Sequence, residues 1–299
     1  MSYATTELQR QKHSSRTAST ASKTVSMLLL ILFALYFLLP IYWLIVSTTK
    51  TTNDLFNTPM LLPSSLKTFA ANFSWLTSYD HGIFWIWFLN SILYAGITAA
   101  LGSLISSFCG YALSKYHFKM SGLVLSLTLG AMMIPQAATV IPIFLMIKSL
   151  GLMNSYIGVI LPMLASPFGV YFMSIYIKDA MPTELIDSGR IDGANDYTIF
   201  TKIALPVLSP GYVTLFLIMF ISTWNNFFLP LVLLSQSDRY PLTVGLSIWI
   251  ANLNTAGTGT PLYPLIMIGS FMSILPMLIA FPFLRKYITS GISMGSVKG

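Results

Sequence analysis

Six apolar runs without one Asp, Glu, Lys, Arg or His decide what this 299-residue chain can fold into. They fall at 27–46, within 83–113, within 121–147, and at about 155–177, 206–234 and 261–284. As a helix, each is long enough to cross the roughly 30 Å hydrocarbon core of a bilayer. The chain is 55% hydrophobic and 8% charged, whereas a soluble domain is about one quarter charged. A water-facing surface cannot be clothed from so few charges, so the fold class is an all-α integral membrane protein with six transmembrane helices. The first run is a retained span, because a long polar tail precedes it and no small-x-small cleavage site follows it closely.

The organisation follows from what lies between the runs. Residues 1–26 form a polar, Ser/Thr-rich tail, read as flexible, with a helical extension along the membrane surface as the alternative. Residues 27–46 are the first span and 47–82 an external loop with Pro59 and Pro63. Residues 83–285 form the core with five spans, 235–260 a second, polar external loop, and 286–299 a C-terminal tail. Pro135 and Pro142 should kink or break the third span, since proline lacks an amide donor and clashes with the preceding turn. With the N-terminus in the cytoplasm, Arg10, Lys12, Arg16, Lys23, Lys115, Lys119, Lys178, Arg190, Lys202, Arg285, Lys286 and Lys298 lie inside, and Lys50, Lys67, Lys148 and Arg239 outside. Twelve against four obeys the positive-inside rule. His117, among these charges at a span end, reads as a solvated interface residue, and the single Cys109 as a packing residue.

The absence of ionisable groups from the spans argues against a proton antiporter or a voltage-gated channel, which need such groups in the membrane. Aromatic rings, hydroxyls and amides remain, and these suit an uncharged, hydroxyl-rich solute such as a sugar. There is no phosphate-binding loop, no metal-protease spacing, and only His13, His81 and His117 to build a hydrolytic triad. No catalytic and no metal-ligating residue is therefore expected, and energy for pumping would come from a partner. A stand-alone secondary transporter or facilitator of a neutral solute is the alternative; a membrane scaffold is a third class.

Residues 178–206 stand apart. They hold five of the nine acidic residues (Asp179, Glu184, Asp187, Asp192, Asp196) with Lys178, Arg190 and Lys202. Such a segment must sit in water. Thr183 is placed to cap a short helix over 184–191. Glu184 and Asp187 near its start favour the helix dipole. Asp192-Gly193 is a turn with positive φ available at the glycine. Asn195 or Asp196 can cap a second helix over 197–205 before Pro206. Read from the residues alone, this is an amphipathic helix–turn–helix on the cytoplasmic face, either a plain connector or a grip for another protein.

The run E-L-x-D-S-G-R-I-D-G-A followed by I-F-x-x-I-x-L-P resembles the cytoplasmic EAA loop of permease subunits of bacterial ABC importers. The usual triplet is replaced by Asp187-Ser188-Gly189, and Gly189 costs up to about 1 kcal/mol of helix propensity against Ala. M-I-P-Q-x-x-x-x-I-P, K-S-L-G-L-x-N-S-Y, S-P-F-G-V-Y and W-N-N-F-F-L-P-L extend the likeness to the MalG-type subunit of carbohydrate importers. The resemblance implies a type I ABC importer (MetI-like) permease fold in the bacterial cytoplasmic membrane. It implies a coupling helix carrying Glu184, Asp187, Ser188, Gly189, Asp192, Gly193 and Ala194. The implied partners are a second homologous permease of MalF type, two ATPase subunits that carry ATP and Mg, and an extracytoplasmic sugar-binding protein. The cargo would be a carbohydrate, oligosaccharides foremost, moved by alternating access. Trp224, Asn225 and Asn226 are candidates for the substrate pathway, with amides tying broken spans together as the rival reading.

Overall fold

The computed structural model describes residues 2–116, 118–253 and 262–293, and its regular elements there are all helical. His117 and the last residues of the two tails lie outside the described residues, as does the end of the second external loop. Helix α1 (Ser2–Thr48) runs through the boundary at 26/27. The tail expected to be flexible is thus the first part of α1. Nothing between Ser2 and Leu39 is Gly or Pro, the two residues that stop a helix most effectively. Then come α2 (Thr52–Asn57), α3 (Leu66–Ser78), α4 (Ile83–Lys115), α5 (Ser121–Met132), α6 (Gln136–Ser149), α7 (Tyr156–Leu164) and α8 (Pro167–Ala180). The rest is α9 (Glu184–Ile191), α10 (Asp196–Thr198), a π-helical segment (Ile199–Ala204), α11 (Leu205–Val207), α12 (Ser209–Trp224), α13 (Phe228–Leu233), α14 (Leu242–Leu253) and α15 (Tyr263–Ser293). Among the described residues, three stretches are long and apolar enough to cross a membrane, and up to six are if each bent pair counts as one span.

The chain divides into two compact units. The first holds Met1–Phe73 and Tyr263–Phe271. Its α1 exposes apolar side chains from Val25 to Leu39 around the whole helix, which suits lipid rather than water. The helix ends in a polar knot. Ser47, Thr48 and Thr49 hydroxyls donate back to carbonyls three or four residues earlier, and Asn72 donates to the carbonyls of Thr48 and Lys50 at 2.9 and 3.0 Å. Lys50 is buried, and its ammonium donates to the Pro59 carbonyl at 2.7 Å. A Thr51–Asp54 capping box starts α2, and its bonds from Thr51 hold the Asp54 carboxyl below the ordinary value.

The second unit, Ser74–Leu262 with Met272–Gly299, is built on α4. This helix packs against α7, α8 and α12, and its small residues make that possible. A Cβ on Gly102 would overlap the Met219 side chain, and one on Gly110 would stand 2.7 Å from Met173 Cβ and 2.8 Å from the Ser174 nitrogen. Small residues allow such close approach where water supplies no driving force between helices.

The expected third, fourth and fifth spans are broken. Pro135 stands at a bend of 105° between α5 and α6, whereas Pro142 sits inside α6 without ending it. Ser166 caps α8 at a 41° bend after α7. The expected single span over 206–234 is divided: α12 stops at Trp224, and Asn225–Phe227 separate it from α13.

The loop expected over 235–260 contains the apolar helix α14. Its positioning is long-range. Trp87 donates to the Ser237 carbonyl at 2.7 Å, Asn90 to those of Asp238 and Tyr240 at 2.8 and 3.1 Å, and Tyr94 to that of Arg239 at 3.0 Å. The Leu242 amide donates to the Ser91 hydroxyl at 2.7 Å. Gly245 then lies flat on the Trp87 indole, where any Cβ would collide.

Candidate coupling loop and pathway cavity

Helix α9 covers Glu184–Ile191, the bounds expected from sequence, but Thr183 does not cap it through its side chain. Following Pro182, Thr183 is already helical (φ −67°, ψ −30°). Its carbonyl accepts from the amides of Ile186 and Asp187 at 2.9 and 3.1 Å. Ile186 and Gly189 are buried, while Glu184, Asp187, Ser188, Arg190, Asp192 and Gly193 face outward. The C-terminus closes in a Schellman turn: Gly193 donates to the Arg190 carbonyl at 3.0 Å and Ala194 to that of Gly189 at 2.9 Å. Gly193 takes φ +78° with open space where a Cβ would stand. Glycine is required there by backbone conformation, not by room.

Gly189 is different. A Cβ on it would lie 2.8 Å from Ile203 Cδ1 and 3.3 Å from Ile199 Cγ1. The propensity given up at this position lets the π segment close onto α9. That segment replaces the regular second helix expected over 197–205. Asn195 does cap α10, accepting from the Thr198 amide at 2.8 Å. Beyond it, Pro206 has no amide to donate to Lys202, and Leu205 instead donates to the Phe200 carbonyl, one residue further back than in an α-helix.

Both ends of this loop are fastened to the last turns of α4. On the entry side, Lys115 donates its ammonium to the Met181 carbonyl. On the exit side, Phe200 stacks on Phe108 (4.1 Å between centroids, 22°) and meets Tyr111 edge-on at 5.3 Å. Tyr116, just past α4, meets Tyr111 at 5.9 Å. Burial, then the neighbouring Asp196, push the Tyr116 phenol up from its ordinary value. Arg190 and Asp196 form an ion pair at 3.4 Å. The sequence signals for Lys115 and Tyr116 were only those of a basic span end. Outward from this clamp stand Ile191, 86% exposed, and Tyr197, 72% exposed.

The three pathway candidates separate. Trp224 and Asn225 line a cavity of about 150 Å³ with Leu242, Thr243, Leu246, Ser273, Ile274 and Met277, none of them ionisable. Trp224 is buried and stacks on Phe220 at 5.9 Å and 18°. Asn226 is not among the lining residues. Its side-chain oxygen accepts from the Leu229 amide at 3.3 Å, its carbonyl accepts from the Thr243 hydroxyl at 2.8 Å, and its amide nitrogen reaches the Met163 sulfur at 3.9 Å. Asn226 thus ties α7, α13 and α14 around the break. Asn226→Ala is expected to cost about 1 kcal/mol, the usual net worth of a hydrogen bond. It should lower the melting temperature of the purified protein by a few degrees without altering the KM for uptake.

Residues 102–293 match the family described as binding-protein-dependent transport system inner membrane component, and the chain belongs to that family. It is 33% identical to the arabinooligosaccharides transport system permease protein AraQ of Bacillus subtilis (strain 168), over 91% of this chain and 94% of that one. It is 32% identical to the lactose transport system permease protein LacG of Rhizobium radiobacter, over 87% and 90%. The crystal structure of a bacterial ABC transporter involved in the import of the acidic polysaccharide alginate superposes with a TM-score of 0.76 at 26% identity, covering 90% of this chain and 97% of that one. The fold is therefore that of a type I, MetI-like importer permease.

Proposed function

We propose that this chain is the MalG-type subunit of an ATP-driven importer that moves a carbohydrate, oligosaccharides foremost, across the cytoplasmic membrane. One observation carries the coupling role: Ile191 and Tyr197 stand exposed on the water-side turn of an otherwise apolar chain. Apolar side chains presented this way at a charged turn are a seat for another protein. The occupant is one of two ATPase subunits, which carry ATP and Mg; this chain itself needs no cofactor. A second, MalF-type permease completes the pore, and an extracytoplasmic sugar-binding protein delivers the cargo. Both termini and residues 178–206 lie in the cytoplasm, and residues 83–285 form the transporting core.

The mechanism follows from the clamp. Closure of the ATPase dimer draws α9 with it. Lys115 and the Phe108–Tyr111–Phe200 stack pass that displacement to α4, and α4 carries α7, α8 and α12. The cavity at Trp224 and Asn225 supplies a ring face with amide and hydroxyl groups and no charge, as a neutral sugar requires. The sugar names of the relatives support the same substrate class, and their being subunits of importers favours this reading over a stand-alone facilitator.

The test is purification from native membranes followed by reconstitution. An ATPase, a second permease and a sugar-binding protein should co-purify, and uptake into proteoliposomes should require ATP and the sugar-loaded binding protein. Uptake by this chain alone without ATP would overturn the proposal.

A further inference from the structure

Beside the coupling loop lies a second cavity, of about 250 Å³, that coupling through α9 leaves without a role. Its walls are the rings of Phe108, Tyr111, Tyr116, Tyr197 and Phe200, and its charged lining residue is Asp196. Two of these rings stack at 4.1 Å and two more meet them or each other edge-on at 5.3 and 5.9 Å, so the wall is held in place. Ring faces carry negative quadrupole density and attract a cation lying over them. A carboxylate in the same wall adds to that attraction and repels an anion. Asp196 is engaged by Arg190 and by the Tyr116 phenol, and of these the charged partner is a weak competitor. Arg190 lies 3.4 Å away, with the two side chains 51% and 61% exposed, and water screens an exposed pair of this kind, so it holds its partners weakly. Tyr197 belongs both to the cavity and to the exposed seat on the loop, so the two surfaces are continuous.

We propose that this cavity receives a cationic side chain of the ATPase subunit, an arginine by preference, with its head against Asp196 and its face on Tyr116 and Tyr197. The proposal rests on the assignment of the loop as the ATPase seat. A planar guanidinium both stacks on rings and pairs with a carboxylate, which an ammonium does less well. Its entry takes Asp196 over from Arg190 and so releases the tie between the end of α9 and α10 while the partner is docked.

The affinity between the permease pair and the ATPase, measured in detergent or nanodiscs across a range of salt, tests this. Asp196→Asn is expected to weaken binding about tenfold and to flatten its salt dependence, as loss of a charge pair across an interface does. Tyr116→Leu should weaken it about threefold to tenfold, within the range for a lost cation–π contact, while Tyr116→Phe, which keeps the ring, stays near the parent. Arg190→Ala removes the competitor and should leave binding unchanged or tighter. Equal losses from Arg190→Ala and Asp196→Asn would mark the ion pair as a purely structural tie and overturn the proposal. So would unchanged affinity in Asp196→Asn together with loss of a co-purifying amino-phospholipid, which would assign the cavity to a lipid headgroup. Ile191→Ala reads the seat separately: weakened binding at every salt concentration keeps the seat even if the cavity variants are silent, and unchanged binding removes the seat itself.

Discussion

Gly193→Val is expected to cut ATP-driven uptake at least tenfold, with the chain still inserted and assembled with the second permease proposed above. At φ +78° a non-glycine residue is strained by about 1–2 kcal/mol, and a β-branched one by more. The strain falls where two hydrogen bonds close α9, from Gly193 to Arg190 and from Ala194 to Gly189. If the turn opens, α9 loses the bonds that fix its end, and the push on α9 no longer reaches the stack at Phe200. No atom lies within 4 Å of the position where a Cβ would stand, so the defect comes from the backbone and not from a clash. A graded series separates the two: Gly193→Asn, tolerated in the left-handed region, should retain most uptake, Gly193→Ala less, and Gly193→Val least. Uptake and ATPase rates in proteoliposomes are the readout. Parent-level transport by the Val variant would remove the turn from the coupling mechanism.

What the sequence disclosed and what it hid have physical reasons. The bounds of α9 and the turn at Gly193 were legible because local chemistry sets them: acidic residues at the start, Asp-Gly at the end. The break at Pro135 was legible for the same reason. At Pro142 the chain does not break, because α6 continues through it from Gln136 to Ser149. The cap at Thr183 failed because Pro182 had already carried the chain into helical geometry. The π segment was illegible because it needs three things at once: Pro206 without an amide, Ile203 over Gly189, and Phe200 against Tyr111. Helix α14 was hidden by its polar flanks and is held by Trp87, Asn90, Ser91 and Tyr94, about 150 residues away in sequence. Trp224 and Asn225 do meet at one cavity, but Asn226, beside them in the same motif, faces the break. A one-residue step along a helix end changes the face presented, and the sequence offers no local mark of where that end falls.

Lys115→Met should uncouple the machine from the other end of the loop. Methionine keeps most of the side-chain volume and removes the ammonium, with both its donor and its charge beside Glu184. The ammonium of Lys115 is bonded to the carbonyl of Met181, a residue only 1% exposed. Leaving a buried carbonyl without its donor costs about 1–3 kcal/mol. More than stability is at stake, because Met181 closes α8 and leads directly into α9. With this bond gone, the entry to α9 keeps only non-directional apolar packing toward α4 through Met181 and Ile186, and the aromatic stack on the exit side carries more of the motion. Uptake is expected to fall about tenfold while ATP hydrolysis persists and responds weakly to the loaded binding protein. Lys115→Arg, which restores a donor of similar reach, should recover much of the coupling. A structural role alone would lower stability and hydrolysis together and leave the ratio of sugar moved to ATP consumed unchanged. That ratio is the measurement that decides, because a falling ratio with hydrolysis intact is the signature of a broken link between α9 and α4.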